Sequence, residues 1–156
     1  LAKLPRPTGV VLAAVWMAVI WSISEVEGSD GDHSFLGSWL YNSAHAPFYG
    51  FLALLLAIAL PRTNGWPRLD AVNTALVLAA VLAYAIIDER HQASVPGRDA
   101  DWADILTDMI GATVTLWMIR WLGDPSSERG GVWRRIALGL AWCLAGGFVA
   151  TWRSFG

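Results

Sequence analysis

"AVNTALVLAAVLAYAIIDERHQ", residues 71–92, carries no charge over its first seventeen positions and then turns abruptly polar. A helix packed on a water-soluble core shows a polar stripe at every turn, and this run does not. Seventeen helical residues span about 25 Å, slightly under the hydrocarbon thickness of about 30 Å. The stretch therefore reads as a membrane span that ends in an ionisable island.

Four more runs repeat the pattern, at residues 8–24, 44–60, 105–122 and 132–152. The expected fold is all-α: a polytopic helical bundle of about five transmembrane helices, forming a single transmembrane domain over residues 1–156. Composition agrees, with 55% apolar residues, 15% charged, and a mean hydropathy of +0.45. Lys3 and Arg6 precede the first run as in a signal peptide, but no small-residue cleavage site follows, so it is kept as a span. Trp21, Trp39, Trp66, Trp102, Trp121, Trp133 and Trp152 fall near span ends, where an indole suits the membrane interface. Trp16, Trp117 and Trp142 sit deeper and read as packing against lipid or a partner.

Charge sets the expected orientation. With alternating spans, one side holds Lys3, Arg6, Arg62, Arg68, Arg120, Arg129, Arg134 and Arg135, the other only Arg90, Arg98 and Arg153. Positive residues favour the cytoplasmic side, so the N-terminus is expected inside and the C-terminus outside. A bacterial cytoplasmic (inner) membrane is the expected location and membrane lipids the first partners. A net charge of −2 gives no basic face for nucleic acid. Cys143 has no second cysteine to pair with and reads as a small apolar residue.

"PRTNGWPRLD" (61–70) and "GDPSSERGG" (123–131) carry the Pro, Gly and Ser signals of short turns. "EVEGSDGDHS" (25–34) reads as a solvated acidic loop. A sharper alternative is a divalent cation held by Glu25, Glu27, Asp30 and Asp32, although the spacing matches no EF-hand.

The ionisable residues converge. His45 and Tyr49, four apart, share one face at the outer start of the second span. Asp88, Glu89 and Gln92 end the third, while Asp104 and Asp108 open the fourth. All lie on the same side of the bilayer. Asp108 falls inside the apolar span, where an ionised carboxylate costs roughly 1–3 kcal/mol without a partner. Arg98, His45 and Arg90 are the expected partners. Arg98 follows a Pro96–Gly97 turn, and its guanidinium could hold a carboxylate or a phosphate equally well. Asp104 is expected to cap the fourth helix, with Asp99 and Asp101 solvated. A purely structural account, capping plus an ion-pair network joining spans three and four, explains part of the island.

"SAHAPFYGFLALLLAIAL" (43–60) and "DERHQASVPGRDADWADILTDMIGA" (88–112) together resemble the VanZ-like membrane proteins. The matching positions are His45, Tyr49, Asp88, Glu89, Gln92, Pro96, Gly97, Arg98, Asp104 and Gly111. Asn42 stands where many members carry lysine, and Asp108 where many carry asparagine, which makes this pocket more acidic. The resemblance implies a small multi-span protein associated with teicoplanin-type glycopeptide resistance, without implying a known reaction.

Two functions compete. In the first, an extracytoplasmic-face pocket binds or processes an amphiphilic or lipid-linked envelope molecule. His45 would act as acid or base, Glu89 would orient it, Arg98 would hold an anionic head group, and Asp108 would complete the set. Tyr49, Asp88, Gln92 and Asp104 would bind ligand or join the network. No GxSxG, CxxC or HExxH motif accompanies them, so enzyme and non-enzyme stay open. A metal on His45, Glu89 and Asp108 is a further alternative. In the second function, the chain is a non-catalytic transmembrane subunit of a larger complex, with His33, His45 or His91 on a pigment or other cofactor. A transporter would want polar groups at mid-membrane or broken helices, and ranks last.

Overall fold

The computed structural model describes residues 4–26, 34–97, 101–127 and 129–155. Among them run five long helices: α1 (Arg6–Ser24), α2 (Phe35–Ala59), α3 (Ala71–Gln92), α4 (Trp102–Leu122) and α5 (Val132–Phe155). All five are long and apolar enough to cross a membrane. Their outward faces are paved with exposed Val10, Val11, Leu76, Leu140 and similar side chains, the surface a bilayer covers and water does not. The fold is the expected all-helical membrane bundle.

Each helix extends beyond its apolar run, and α2 does so most. It starts at Phe35, nine residues before residue 44, because Ser34 caps it by accepting from the Gly37 amide at 3.1 Å. Asn42 in this added segment is paired inside the bundle, its amide donating to Thr151 Oγ1 at 3.0 Å. Likewise α3 continues through Asp88, Glu89 and Gln92, all buried, instead of ending at the first charge. Between α2 and α3 the chain forms a two-residue antiparallel hairpin, β1 (Arg62–Thr63) and β2 (Trp66–Pro67). Asn64 and Gly65 turn it with φ of 52° and 80°, the primed turn that Asn-Gly favours.

The central helix is α2, which packs against all four others. Small residues permit this. A Cβ on Gly111 of α4 would overlap the backbone of Ala46, and one on Gly147 of α5 would overlap that of Ser43. Below these contacts Leu52, Ala53, Leu55, Ile58, Val81 and Leu116 form the apolar core.

The connections gather at two ends. At one, Arg6 Nε donates to the Ala59 carbonyl at 3.0 Å, and Trp66 of the hairpin lies against Gly123 after α4. At the other, Arg153 Nε is 3.7 Å from Asp101 Oδ1 and His91 Nε2 is 3.9 Å from Glu25 Oε1. We call this second end the polar end.

Trp16, expected to face lipid or a partner, packs inward instead. It contacts Phe48 and Phe51, and its indole N–H donates to the Phe48 carbonyl at 2.9 Å. A half-buried indole N–H turned into the bundle needs that acceptor.

Candidate functional site

The half of the bundle nearest the polar end holds most of its buried polar side chains: Ser24, Asp88, Glu89, Gln92, Thr107, Asp108 and Thr151. They divide into two networks.

The first joins α1, α2 and α3. Tyr49 Oη donates to Asp88 Oδ2 at 3.0 Å, and the Gln92 amide donates to the same oxygen at 3.0 Å. Gln92 also reaches Ser24 Oγ at 3.5 Å. The other Asp88 oxygen, Oδ1, is buried and has no hydrogen-bond partner among the described residues. Asp88 is 2% exposed, so an unsatisfied carboxylate oxygen there is costly.

The second network joins α2 to α4. His45 Nδ1 stands 3.1 Å from Asp108 Oδ1. With Asp108 ionised, that nitrogen carries the proton and donates, which leaves Nε2 as the acceptor of a neutral ring. Asp104 and Glu89 also lie within electrostatic reach of His45. Glu89 is otherwise engaged: its Oε1 accepts from the Asp101 amide. That contact ties α3 to the start of α4.

A cavity of about 80 Å³ lies between α1, α2 and α3. His45, Tyr49, Asp88 and Gln92 supply its polar wall, and Ile20 and Phe48 part of its apolar one. Ile23 and Tyr41, both exposed on the outside of the bundle, also line it. The space suits a few waters or a small head group, and is well short of the several hundred Å³ of a drug-sized site.

Of the residues expected from the sequence, His45, Tyr49, Asp88 and Gln92 therefore line one cavity. Asp108 and Glu89 do not line it; they brace His45 and the α3–α4 junction. Arg90 is exposed. Arg98 lies outside the described residues, as do Lys3, Glu27, Asp30, Asp32, His33 and Asp99. The turn before Arg98 is as expected, with Gly97 at φ 75°. The helix cap falls to Asp101, not Asp104: its carboxylate accepts from the Ala103 amide at 3.0 Å, while Asp104 sits in the first turn. Asp101 is thus structural, where solvation was expected. The α2–α4 crossing that sets this geometry runs through Gly111 and Ala46, one turn from Asp108 and one residue from His45.

This order of histidine, tyrosine, paired acids and glutamine, Pro-Gly turn and helix-opening aspartate lies within the reach of one family profile, VanZ/LLP1, which matches residues 9–123. The chain belongs to the VanZ/LLP1 family. The match takes in α1 to α4 and both networks of this VanZ-family bundle, and leaves α5 beyond it. No curated protein and no solved structure matches the chain. It is a VanZ-like, multi-pass membrane protein; the link to antibiotic resistance is carried by the family name.

Among the described residues, no group of three or more His, Cys, Asp and Glu is placed to hold a metal ion. The expected trio of His45, Glu89 and Asp108 thus resolves into a pair and a separate brace. Ser24 and Tyr84 are site neighbours that sequence reasoning passed over. Tyr84 Oη donates to the Met17 carbonyl at 2.5 Å and its ring lies 6.1 Å from that of Tyr49. Tyr84 stands one helical turn before Asp88, and that spacing was the available signal.

Proposed function

We propose that this VanZ-family protein binds an amphiphile of the bacterial cell envelope, with a hydrogen-bond-donating head group seated in the cavity between α1, α2 and α3. The observation that carries the reading is Asp88: buried, held by Tyr49 and Gln92 through one oxygen, and without a donor on the other among the described residues. An ammonium or hydroxyl group satisfies such an oxygen. The exposed Ile23 and Tyr41 beside the cavity favour arrival from within the bilayer. Arg98, next after the Pro-Gly turn, is the candidate contact for an anionic part of the same head group. His45, oriented by Asp108, is the group suited to proton transfer if the ligand is also processed. The polar end faces outward from the cytoplasmic membrane in this reading.

Native mass spectrometry of the detergent-purified protein tests it with two lipids that share a phosphate. Lysophosphatidylethanolamine carries N–H donors, and lysophosphatidylcholine replaces them with methyl groups. The ethanolamine lipid should be retained in preference, and Asp88→Asn should abolish the preference. Equal retention of both lipids, or a preference untouched by Asp88→Asn, would defeat the proposal. The alternative, a non-catalytic subunit, gains if the protein purifies only within a large complex and if alanine at His45, Glu89 or Arg98 lowers its accumulation.

A further inference from the structure

A second concave surface is formed by α4 and α5 alone. It is a groove of about 510 Å³ lined by Leu106, Met109, Ile110, Thr113, Val114, Trp117, Leu138 and Trp142. On α4 these positions climb one face, and from Trp117 to Leu106 they cover about 16 Å, roughly half the hydrocarbon thickness of a bilayer. The groove thus runs through the middle of α4, beginning about one turn inside its polar end and stopping about one turn short of the other. Trp142, 63% exposed, leaves its flank open to the lipid side of the bundle.

Its lower end is cationic. Arg135 stands one turn before Leu138, with its guanidinium carbon 4.9 Å from the Trp117 ring centre and 4.7 Å from that of Trp121. Trp117 is therefore both the floor of the groove and a platform for the charge. Stacking holds a guanidinium by its face and leaves its edge N–H groups to hydrogen-bond. Among the described residues four ion pairs occur, and none involves Arg135. Arg134 is its neighbour and Arg120 closes α4 at the same end. Asp124 lies there too, but it is engaged by Ser126.

We infer that the α4–α5 groove binds an anionic phospholipid, one acyl chain lying along Leu106–Trp117 and the phosphate on Arg135. A transmembrane helix from a second copy is disfavoured because the groove ends on a cation placed at head-group depth. Phosphate accepts from the flat guanidinium edge in the bidentate manner that the stacked geometry presents. Arg135 lies at the opposite end of the bundle from the Asp88 cavity, and the assignment does not depend on the reading of that cavity.

The test titrates phosphatidylglycerol and phosphatidylcholine of identical chains into the full-length, detergent-purified protein and follows retained lipid by native mass spectrometry. One basic residue at an anionic head group corresponds to a preference of about fivefold for phosphatidylglycerol. R135Q should bring the two lipids to parity. Should R135Q fail to accumulate, T113W serves instead: it fills the groove from the lipid side with Arg135 in place, and should lower retention of phosphatidylglycerol. No preference in the parent protein, a preference that survives R135Q, or retention unchanged by T113W would overturn the assignment. So would efficient disulfide cross-linking between two copies of T113C in a C143S background, which would place a second chain in the groove.

Discussion

Gly111 of α4 lies so close to Ala46 of α2 that no side chain fits between them. This contact brings His45, next to Ala46, within 3.1 Å of Asp108, three residues before Gly111. A methyl group at Gly111 must push the two helices apart along their whole crossing. Gly111→Ala is expected to destabilise the bundle by about 3 kcal/mol, the upper part of the overpacking range. Thermal unfolding in mild detergent measures this, and a melting temperature equal to the parent's would show that the helices re-pack without cost.

The His45–Asp108 pair predicts an asymmetry between its two halves. Removing the imidazole strands a carboxylate that is 2% exposed, so His45→Ala is expected to cost about 3–5 kcal/mol. Asp108→Asn keeps an acceptor for the Nδ1 proton and removes the charge, and should cost under about 1.5 kcal/mol. Denaturation of the two variants side by side decides the matter. Equal losses would mean that His45 acts through its packing alone.

Tyr49 and Gln92 share Asp88 Oδ2, so neither donor is irreplaceable. Tyr49→Phe should cost about 1 kcal/mol, and Gln92→Leu a similar amount, but the double variant should lose more than the sum because the oxygen is then left bare. A double-mutant cycle reads the excess, and strict additivity would show that the two bonds are independent.

Much of this was legible in the residues and some was not, for identifiable reasons. The five spans follow from length and hydropathy, which the bilayer imposes directly. The first nine residues of α2 are hidden because Ser38, Asn42 and Ser43 break the apolar run, although Asn42 finds a partner across the bundle. The need of Asp108 for a partner was readable, and His45 was among the candidates. The Tyr49–Asp88 bond was not readable, since it depends on how α3 is rotated against α2. A helix apolar on nearly all sides carries no periodic signal for that rotation. The Asn64–Gly65 turn was visible as a turn, while its two-residue strands are too short to leave a pattern. The α4–α5 groove was invisible for the same reason as the Tyr49 bond: Trp117 and Trp142 read only as deep tryptophans until the two helices are placed.

In the connection between α4 and α5, Asp124 accepts from both the hydroxyl and the amide of Ser126, at 2.7 and 2.9 Å. These bonds, the hydroxyl's first, with a smaller contribution from Arg120, hold its carboxyl below the ordinary range. A depressed carboxyl favours the folded loop above the pKa it has when unfolded, and that contribution is lost as the pH falls through the folded value. Ser126→Ala should therefore raise the Asp124 pKa toward the ordinary value and shrink the acid-side loss of loop order. Carboxyl titration by NMR would register the shift, and an unmoved pKa would assign the depression to the Ser126 amide and Arg120 instead.

Sidedness remains the most informative single measurement, because the Asp88 cavity and the Arg135 cation lie at opposite ends of the molecule. Loops 61–70 and 123–131 meet at one end, through Trp66 and Gly123, and Arg6 joins them by its bond to Ala59. The polar end gathers Glu25, His91, Asp101 and Arg153. Among the described residues Arg6, Arg62, Arg68, Arg120, Arg134 and Arg135 lie toward the first end against Arg90 and Arg153 toward the polar end, and the positive-inside tendency makes the first end the expected cytoplasmic one. Single cysteines replacing Ser94 and Ser126, each in a C143S background, report on the two ends. A membrane-impermeant maleimide should label the Ser94→Cys protein in intact cells and the Ser126→Cys protein only after permeabilisation. The reverse pattern would turn the Asp88 cavity toward the cytoplasm, exclude an outer-leaflet ligand for it, and leave the Arg135 groove as the site facing the outer leaflet.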